Sequence, residues 1–478
     1  MPKGNFMSKF YCDNCVIRDE YGRERIFRGI NACIKSHHLN PKVIDKAFDD
    51  DYFDGIKKIG TNIIRLGITW ALVEPEENKY NIKVIEAYKR FVKRCEDEGI
   101  YVVLDMHQDL FSHKFFGDGA PEWVIDKSLK GEKYLAIWAE GYFYMNSVQR
   151  AFNDFWTNKN GIQDKFVRMW KFFSNEFKDC KNVIGLDYLN EPYVHKNGRA
   201  IFLSILENTI KIVYGKDIRL ERFYKKNDRI GFLRMALRLA GVIKTPKRVE
   251  KLLETMDNYD NFKKATSGLE KYTQEFNEKY YQSFFDRLCK EASLDGRFNL
   301  FEHNYYSNLG IEFEISTKKN DVYSPHAYDI FIDSALYDKY SSNERIKVII
   351  DGITENQKKM QVPVIFGEWG GSAPSGDNWI KHIEYVSSLL EERHWSSMYW
   401  AFNYKKEKHV NALNTPYPIA VCGDIIEMKT DRASRKFTLK WTQNTDFDEN
   451  VKTEVYVPDR NIVKFDSHKG LNEITIEY

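Results

Sequence analysis

The sequence predicts an α/β protein, a (β/α)8 TIM barrel followed by a small C-terminal antiparallel β-sandwich module. Three observations predict it. Eight short β-rich runs alternate with helical patterns over about 400 residues, a rhythm that closes into a parallel barrel. No Gly-x-Gly-x-x-Gly follows the first run, which argues against the competing doubly wound open sheet. After about residue 425 the hydrophobic period changes to two, as in half-buried antiparallel strands.

The predicted barrel strands are Ile26-Phe27-Arg28-Gly29-Ile30, Asn62 to Leu66, Tyr101 to Asp105, Val183 to Asp187, Phe298 to Phe301, Val322-Tyr323 before Pro325, Val362 to Phe366, and Ser397 to Trp400. The first four are almost continuously apolar, as expected of strands covered on both faces. Between the runs, residues 82–98 place Ile85, Tyr88, Val92 and Cys95 at i, i+3, i+7 and i+10, with Gly99 at the C-terminal stop, so a helix is predicted there. Comparable helical patterns cover 44–58, 162–178, 274–292, 342–359 and 377–391.

The runs Lys436 to Trp441, Thr453 to Pro458 and Glu473 to Tyr478 alternate strictly and are separated by Asp, Asn and Gly turns. They divide the chain into a catalytic barrel over 1–425 and a sandwich over 426–478, the latter short enough that it should pack on the barrel. Residues 195–270 separate the fourth and fifth strand runs and are too long for an ordinary βα connection. Within 211–251 there are 13 Lys/Arg against 4 Asp/Glu, a local charge of +9. Its segment 229–243 sets Arg234 and Arg238 amid a wide apolar surface, a pattern that suits either a membrane interface or a helix packed on the barrel with a solvated edge.

Composition narrows the function classes. Thirty-two Phe, 29 Tyr and 10 Trp fill a core, so the chain is neither disordered nor fibrous. Seventy-two Lys plus Arg against 70 Asp plus Glu leave only +2, so nucleic acid is not an expected partner. No apolar run reaches the ~20 residues of a spanning helix, and the N-terminus shows no secretory signal; a cytoplasmic protein, or a secreted one lacking its signal, is expected. Seven scattered Cys are not a disulfide framework. Cys12-x-x-Cys15 is half of a zinc-ribbon spacing without its second half, and no metal is expected there. His37-His38 reads as a loop near the candidate site.

The strongest chemical signal is a pair of glutamates at strand ends: Glu191 in Leu189-Asn190-Glu191-Pro192 and Glu368 in Phe366-Gly367-Glu368-Trp369. Strand C-termini of a (β/α)8 barrel converge on one face, where two distant carboxyls can oppose each other. Glycoside cleavage requires such a pair, one to protonate the departing oxygen and one to meet the developing oxocarbenium. Arg65, at the second strand, can hold a carboxylate ionised through a forked hydrogen bond. Trp400 offers a flat face to a sugar ring, and His107, Asp109 and His326 follow other strands.

Asn190-Glu191-Pro192, Gly367-Glu368-Trp369-Gly370 and His326-x-Tyr328 resemble the signatures of glycoside hydrolase family five, a group of retaining (β/α)8 enzymes. Asp105-Met106-His107-Gln108-Asp109, the stretch Phe116 to Trp123, and Pro416-Tyr417-Pro418-x-Ala420 before Gly423 are similar to its endoglycoceramidase branch, which also ends in a small β-sandwich. The resemblance covers nearly the whole chain; the basic insertion, the short C-terminal module and the missing signal depart from it. It implies Glu191 as general acid/base and Glu368 as nucleophile, with Asn190 on the sugar 2-hydroxyl. Arg65 and His326 or Tyr328 would position Glu368, while His107, Asp109 and Lys35 would hold the sugar. The implied reaction is double displacement at the bond between sugar and ceramide of a glycosphingolipid, without metal or organic cofactor, by a monomer. It would need the carboxyls ~5–5.5 Å apart and Glu191 protonated near neutral pH by the repulsion of Glu368.

An amphiphilic substrate gives the segment 229–243 and the loop Phe111 to Trp123 a role, flanking an acyl-chain groove or touching the bilayer. Rival readings are a glucosylceramidase, a steryl β-glucosidase or a cellulase-type endoglucanase using the same carboxylates, and a glycolipid-binding barrel without catalysis.

Overall fold

The computed structural model describes residues 9–131, 133, 138–194, 197–220, 230, 234, 237, 241, 245–332, 334–373 and 375–478. Most of the segment 229–243, Arg238 included, therefore lies outside the described residues. Among the described residues no helix is long and apolar enough to cross a membrane.

The chain opens with a hairpin, β1 (Phe10–Asp13) and β2 (Val16–Asp19), and a short β3 (Glu24–Arg25). The turn of the hairpin places Asn14 at φ 51°, and Cys12 and Cys15 flank it as free thiols, Cys12 with its Sγ toward the Asp321 carbonyl. The barrel follows as β4 (Arg28–Cys33), β5 (Ile63–Thr69), β6 (Tyr101–His107), β7 (Val183–Asp187), β8 (Phe298–Phe301), β9 (Asp321–Tyr323), β10 (His326–Ala327), β11 (Ile365–Gly370) and β12 (Ser396–Trp400). All ladders between them are parallel, from β4 through β9 on one side and back through β12, β11 and β10 on the other. β9 and β10 share the sixth strand position, split at Pro325, which has no N–H to give a ladder. The ring closes where the Tyr323 N–H donates to Pro363 O at 3.0 Å and His326 pairs with Glu368.

β5, β6 and β7 are buried at every position, which is why they read as unbroken apolar runs. Inward side chains of the barrel strands, including Ile63, Val103, Leu300 and Met398, form a compact core that the first hairpin plugs with Phe10, Cys12 and Ile17. Phe10 meets Phe27 and Tyr101 edge-on at 5.3 and 5.1 Å. The helices form the outer layer.

Two helices differ from expectation. The pattern over 44–58 is two helices, Pro41–Ala47 and Asp50–Lys57, because Asp49 caps the second by accepting from the Tyr52 N–H. The pattern over 274–292 is interrupted by a π-helical turn at Phe276–Tyr281.

The C-terminal strands are β13 (Tyr417–Val421), β14 (Asp424–Asp431), β15 (Lys436–Gln443), β16 (Thr453–Val457), β17 (Asn461–Phe465) and β18 (Gly470–Glu477). They form two antiparallel sheets, ordered β1-β2-β3-β13-β16-β17 and β14-β15-β18. Tyr417, Phe437, Leu439, Trp441 and Val455 fill the space between them. This sheet pair thus begins at Tyr417 and takes in the first three strands of the chain as well as the C-terminal ones.

Candidate active site

The C-terminal ends of the barrel strands bring the predicted residues into one place. A cavity of about 210 Å³ opens there, lined by Lys35, His107, Asp109, Asn190, Glu191, Tyr328, Glu368 and Trp400. A carboxylate oxygen of Glu191, one of Glu368 and a ring nitrogen of His326 all lie within 4.8 Å of one another. The two carboxyls thus face one another at one mouth, the arrangement in which one can attack an anomeric carbon while the other protonates the leaving oxygen.

Arg65 stands beneath the pair, fully buried. Its Nη1 donates to Glu368 Oε1 at 2.7 Å, its Nε to Asp187 Oδ2 at 2.8 Å, and its Nη2 to Glu302 Oε1 at 2.6 Å and Asn190 Oδ1 at 2.9 Å. The forked contact expected on one carboxylate is therefore a fan over several, because β6, β7 and β8 each point an acid into the barrel. Tyr328 donates its hydroxyl to Glu368 Oε2 at 2.9 Å. Burial pushes the Glu368 carboxyl up, but His326 and Arg65 outweigh it and hold its pKa below the ordinary value. His326 is the middle member, with Nδ1 3.2 Å from Glu191 Oε1 and 3.6 Å from Glu368 Oε2. Burial would discharge it, yet the surrounding Glu302, Glu368 and Glu191 raise its pKa well above the imidazole norm. Asn308 also donates to Glu191 Oε1, at 3.2 Å.

On the opposite wall Lys35 pairs with Asp109 and sits 4.6 Å over the Trp400 ring, which stacks on His107 at 5.3 Å. Asp105 Oδ2 receives His107 Nδ1 at 2.9 Å and fixes the ring. Burial pushes up Asp109 too, but Lys35 and His107 bring its pKa down to about 2. Phe143, Leu309, Ile330 and Ile332 add apolar surface to the lining of the same cavity.

Among the described residues three buried groups have ligand-like spacing, His107/Asp109/Asp118, Glu191/His326/Glu368 and Asp105/Asp187/Glu302. Lys35 caps the first and Arg65 the other two.

One expected contributor is elsewhere. Phe111 turns into the core against Phe152 and Phe155 at 5.1 and 6.1 Å, and Phe115 is buried with it, so the start of the loop 111–123 is barrel packing. Only Phe116 of these three rings is exposed. Conversely, sequence reasoning missed Glu302, Asp105, Asp187, Asn31 and Asn308. Charged residues inside otherwise apolar strand runs were the available signal for Asp105 and Asp187. Glu302 repeats the strand-end glutamate pattern but is followed by His303 rather than by a turn-forming Pro or Gly.

A closed parallel barrel with two opposed carboxyls and a sugar-type aromatic at its C-terminal mouth defines a glycoside hydrolase. Residues 19–217 and 300–406 match the cellulase domain of glycosyl hydrolase family 5, and residues 416–469 match the family 5 C-terminal domain. The chain belongs to glycoside hydrolase family 5. It is 30% identical to an endoglycoceramidase of Hydra vulgaris over 205 residues, a match covering 37% of this chain and 39% of the length of that relative. The solved ganglioside GM3 complex of endo-glycoceramidase II from Rhodococcus sp. has the same fold, with a TM-score of 0.66 over 97% of this chain and 99% of that one at 20% identity. So has sterylglucosidase 1 of Cryptococcus neoformans, with a TM-score of 0.69 over 98% and 97% of the two chains at 14% identity.

Proposed function

We propose that the chain is a retaining glycosidase that cleaves the β-bond between glycan and ceramide in glycosphingolipids. Glu368 attacks the anomeric carbon while Glu191 gives its proton to the oxygen leaving with ceramide. Water, deprotonated by Glu191, then breaks the glycosyl–Glu368 ester and restores both groups. Glu368 suits the nucleophile because Arg65 and Tyr328 both donate to it, and Glu191, the carboxyl that faces it in the same cavity, is then the acid/base. Asn190 lines the same cavity, where it would meet the 2-hydroxyl.

The observation that carries the substrate class is the mixed lining of the cleft. Lys35, His107, Asp109 and Trp400 offer charge, hydrogen bonds and a flat ring to a sugar, whereas Phe143, Leu309, Ile330 and Ile332 line the same cavity with apolar surface. A sugar joined to a lipid would use both kinds of lining, whereas a glucan would use only the first, which disfavours the cellulase reading. The endoglycoceramidase name of the Hydra relative and the GM3 complex of the Rhodococcus structure support the same choice. The sterylglucosidase likeness supports a second reading, a β-glucosidase acting on a sterol glycoside. Contact with an anionic bilayer through the basic insertion belongs to this proposal; its described residues Ile230, Arg234 and Leu237 are exposed.

One experiment tests bond and mechanism together. Incubated with lactosylceramide, a ganglioside and a steryl glucoside, the enzyme is expected to yield ceramide and intact glycan by mass spectrometry. Glu368→Gly should lose activity by about 10³-fold or more and regain it with azide, giving a glycosyl azide of inverted anomeric configuration. Free glucose from the sterol glycoside alone would select the second reading. A Glu368→Gly variant that keeps activity within tenfold would overturn the nucleophile assignment.

A further inference from the structure

We propose that Glu302 is a positioning residue for catalysis: from the end of β8 it fixes the backbone of Glu191 and turns His326 so that the imidazole Nδ1–H faces both reacting carboxyls. The inference rests on the roles proposed above for Glu191 and Glu368. Glu302 Oε2 accepts the Glu191 backbone N–H at 2.7 Å. Its Oε1 accepts from Arg65 Nη2 at 2.6 Å and lies 3.3 Å from His326 Nε2. The side chain has no exposure to solvent, so water cannot replace any of these contacts.

The first contact matters because of where Glu191 sits on the backbone map. Its φ is +43°, in the left-handed region that a residue with a Cβ adopts reluctantly, and Pro192 follows directly. That conformation aims the carboxyl across the barrel mouth, and the acceptor that satisfies the turned-out N–H is Glu302. A displacement of the acid/base by about 1 Å is enough to cost ~10²-fold in rate.

The second contact sets the tautomer of His326. At 3.3 Å the two form an ion pair whose geometry falls short of an aligned hydrogen bond: the shared proton rests either on Nε2, against a carboxylate Glu302, or on Glu302, against a bare Nε2. Both placements leave the hydrogen on Nδ1, which is 3.2 Å from Glu191 Oε1 and 3.6 Å from Glu368 Oε2. One donor therefore serves whichever catalytic carboxyl carries the charge at each stage. The groups around Glu302 are Asp187 and His326 from the adjacent strand positions, Asp105 and Glu368 from the next position on either side, Arg65 from across the barrel, Tyr281 from the helical layer and its own neighbour His303. The Tyr281 hydroxyl accepts the Glu302 N–H at 3.2 Å, and His303 is turned to Tyr323 and Asn308. Burial pushes the Glu302 carboxyl up to about 8, which suits a group sharing its proton with an imidazole near neutral pH.

The test is Glu302→Gln, which keeps the shape and removes the exchangeable proton. With 2,4-dinitrophenyl β-lactoside and octyl β-lactoside as probes, kcat should fall about 10–100-fold with KM within about twofold. The loss on the octyl glycoside should be at least about tenfold the larger, because dinitrophenolate departs without protonation. By ¹⁵N NMR of histidine-labelled enzyme, the titration of His326 should move down by about one unit or more. Glu302→Asp, which keeps the proton but is one methylene short, gives an intermediate result and serves if Gln does not fold. Equal losses on both lactosides, with His326 titrating as in the parent, would overturn the inference. Glu191→Ala, run in parallel, separates the two proposals: without the leaving-group split there, the assignment of Glu191 itself would be wrong.

Discussion

At the scale of residues, the site is one guanidinium shared among acids. Arg65 contacts Asp105, Asp187, Glu302 and Glu368 within 2.6–3.0 Å, all on side chains with at most 7% exposure. Burial alone would lower its pKa, but these carboxylates raise it well above the ordinary value. A lysine presents one point charge and cannot span them, so Arg65→Lys leaves buried carboxylates without partners. The expected result is a stability loss of about 3 kcal/mol or more, seen as a lowered Tm, with kcat/KM down by about 10²-fold or more from the freed Glu368. An unchanged Tm would mean that water or rearrangement satisfies the acids. The same network explains what the sequence disclosed and what it hid. Glu191 and Glu368 stand out because Pro192 and Gly370 punctuate the strands that carry them. Asp105 and Asp187 belong to the strand runs, where periodicity assigns them to a face but says nothing of the arginine one and two strands away. The positive φ of Glu191 is likewise a product of tertiary contacts.

At the scale of elements, local patterns carried furthest where one period ran unbroken. The helix Ile82–Asp97 has its apolar stripe and its Asn81 cap, and β15 alternates buried positions with exposed or half-buried ones along its length. Patterns failed where a single residue breaks an element: Asp49 divides one helical stretch, and the pairing of β13 with β16 shifts register between Pro418 and Ala420, which hides β13 from a period-two reading. β3 was missed because two residues have no period at all. Yet β3 carries Glu24, whose Oε2 accepts the Ile425 N–H at 2.8 Å and fixes the start of β14. Burial pushes its carboxyl up to about 7, against ~4.3 in an unfolded chain. A raised acid stabilises the fold fully below about pH 4.3, and that contribution is lost as pH rises through about 7. Glu24→Gln keeps the acceptor and cannot ionise. Relative to the parent, its Tm should therefore improve between pH 5 and 8.5, by an amount of order 3 kcal/mol in stability. A difference in Tm that stays constant over that range would show Glu24 to titrate normally.

At the scale of the whole molecule, the two ends of the chain are built into one sheet. β1, β2 and β3 are followed in that sheet by β13, β16 and β17, so the hairpin that plugs the bottom of the barrel also edges the C-terminal module. Such pairing across about 400 residues leaves no trace in a local period, which is why the sequence pointed to a module beginning only after residue 425. Further ties run between the two layers. Tyr417 donates to Gly60 O at 2.5 Å, Tyr456 donates to Lys58 O at 3.1 Å, and Glu391 of the helix Asn378–Glu391 accepts from the Thr430 N–H and hydroxyl, both at 3.1 Å. Gly60, at φ 66°, lies so close to the Tyr456 ring that a Cβ there would meet it at 2.6 Å. A chain ending at residue 416 would leave β3 paired on its β2 side only, expose Ile26 and the loop 58–60, and leave the Glu391 carboxyl, whose pKa burial raises, without its Thr430 donors. The unpaired edge is also a template for association between chains. The truncated protein is therefore expected to be recovered mainly in the insoluble fraction, with soluble yield down by about tenfold or more and the residual soluble protein melting well below the full chain. A soluble, monomeric 1–416 fragment with the kcat/KM of the full chain would show instead that the barrel holds its active-site geometry without the sheet.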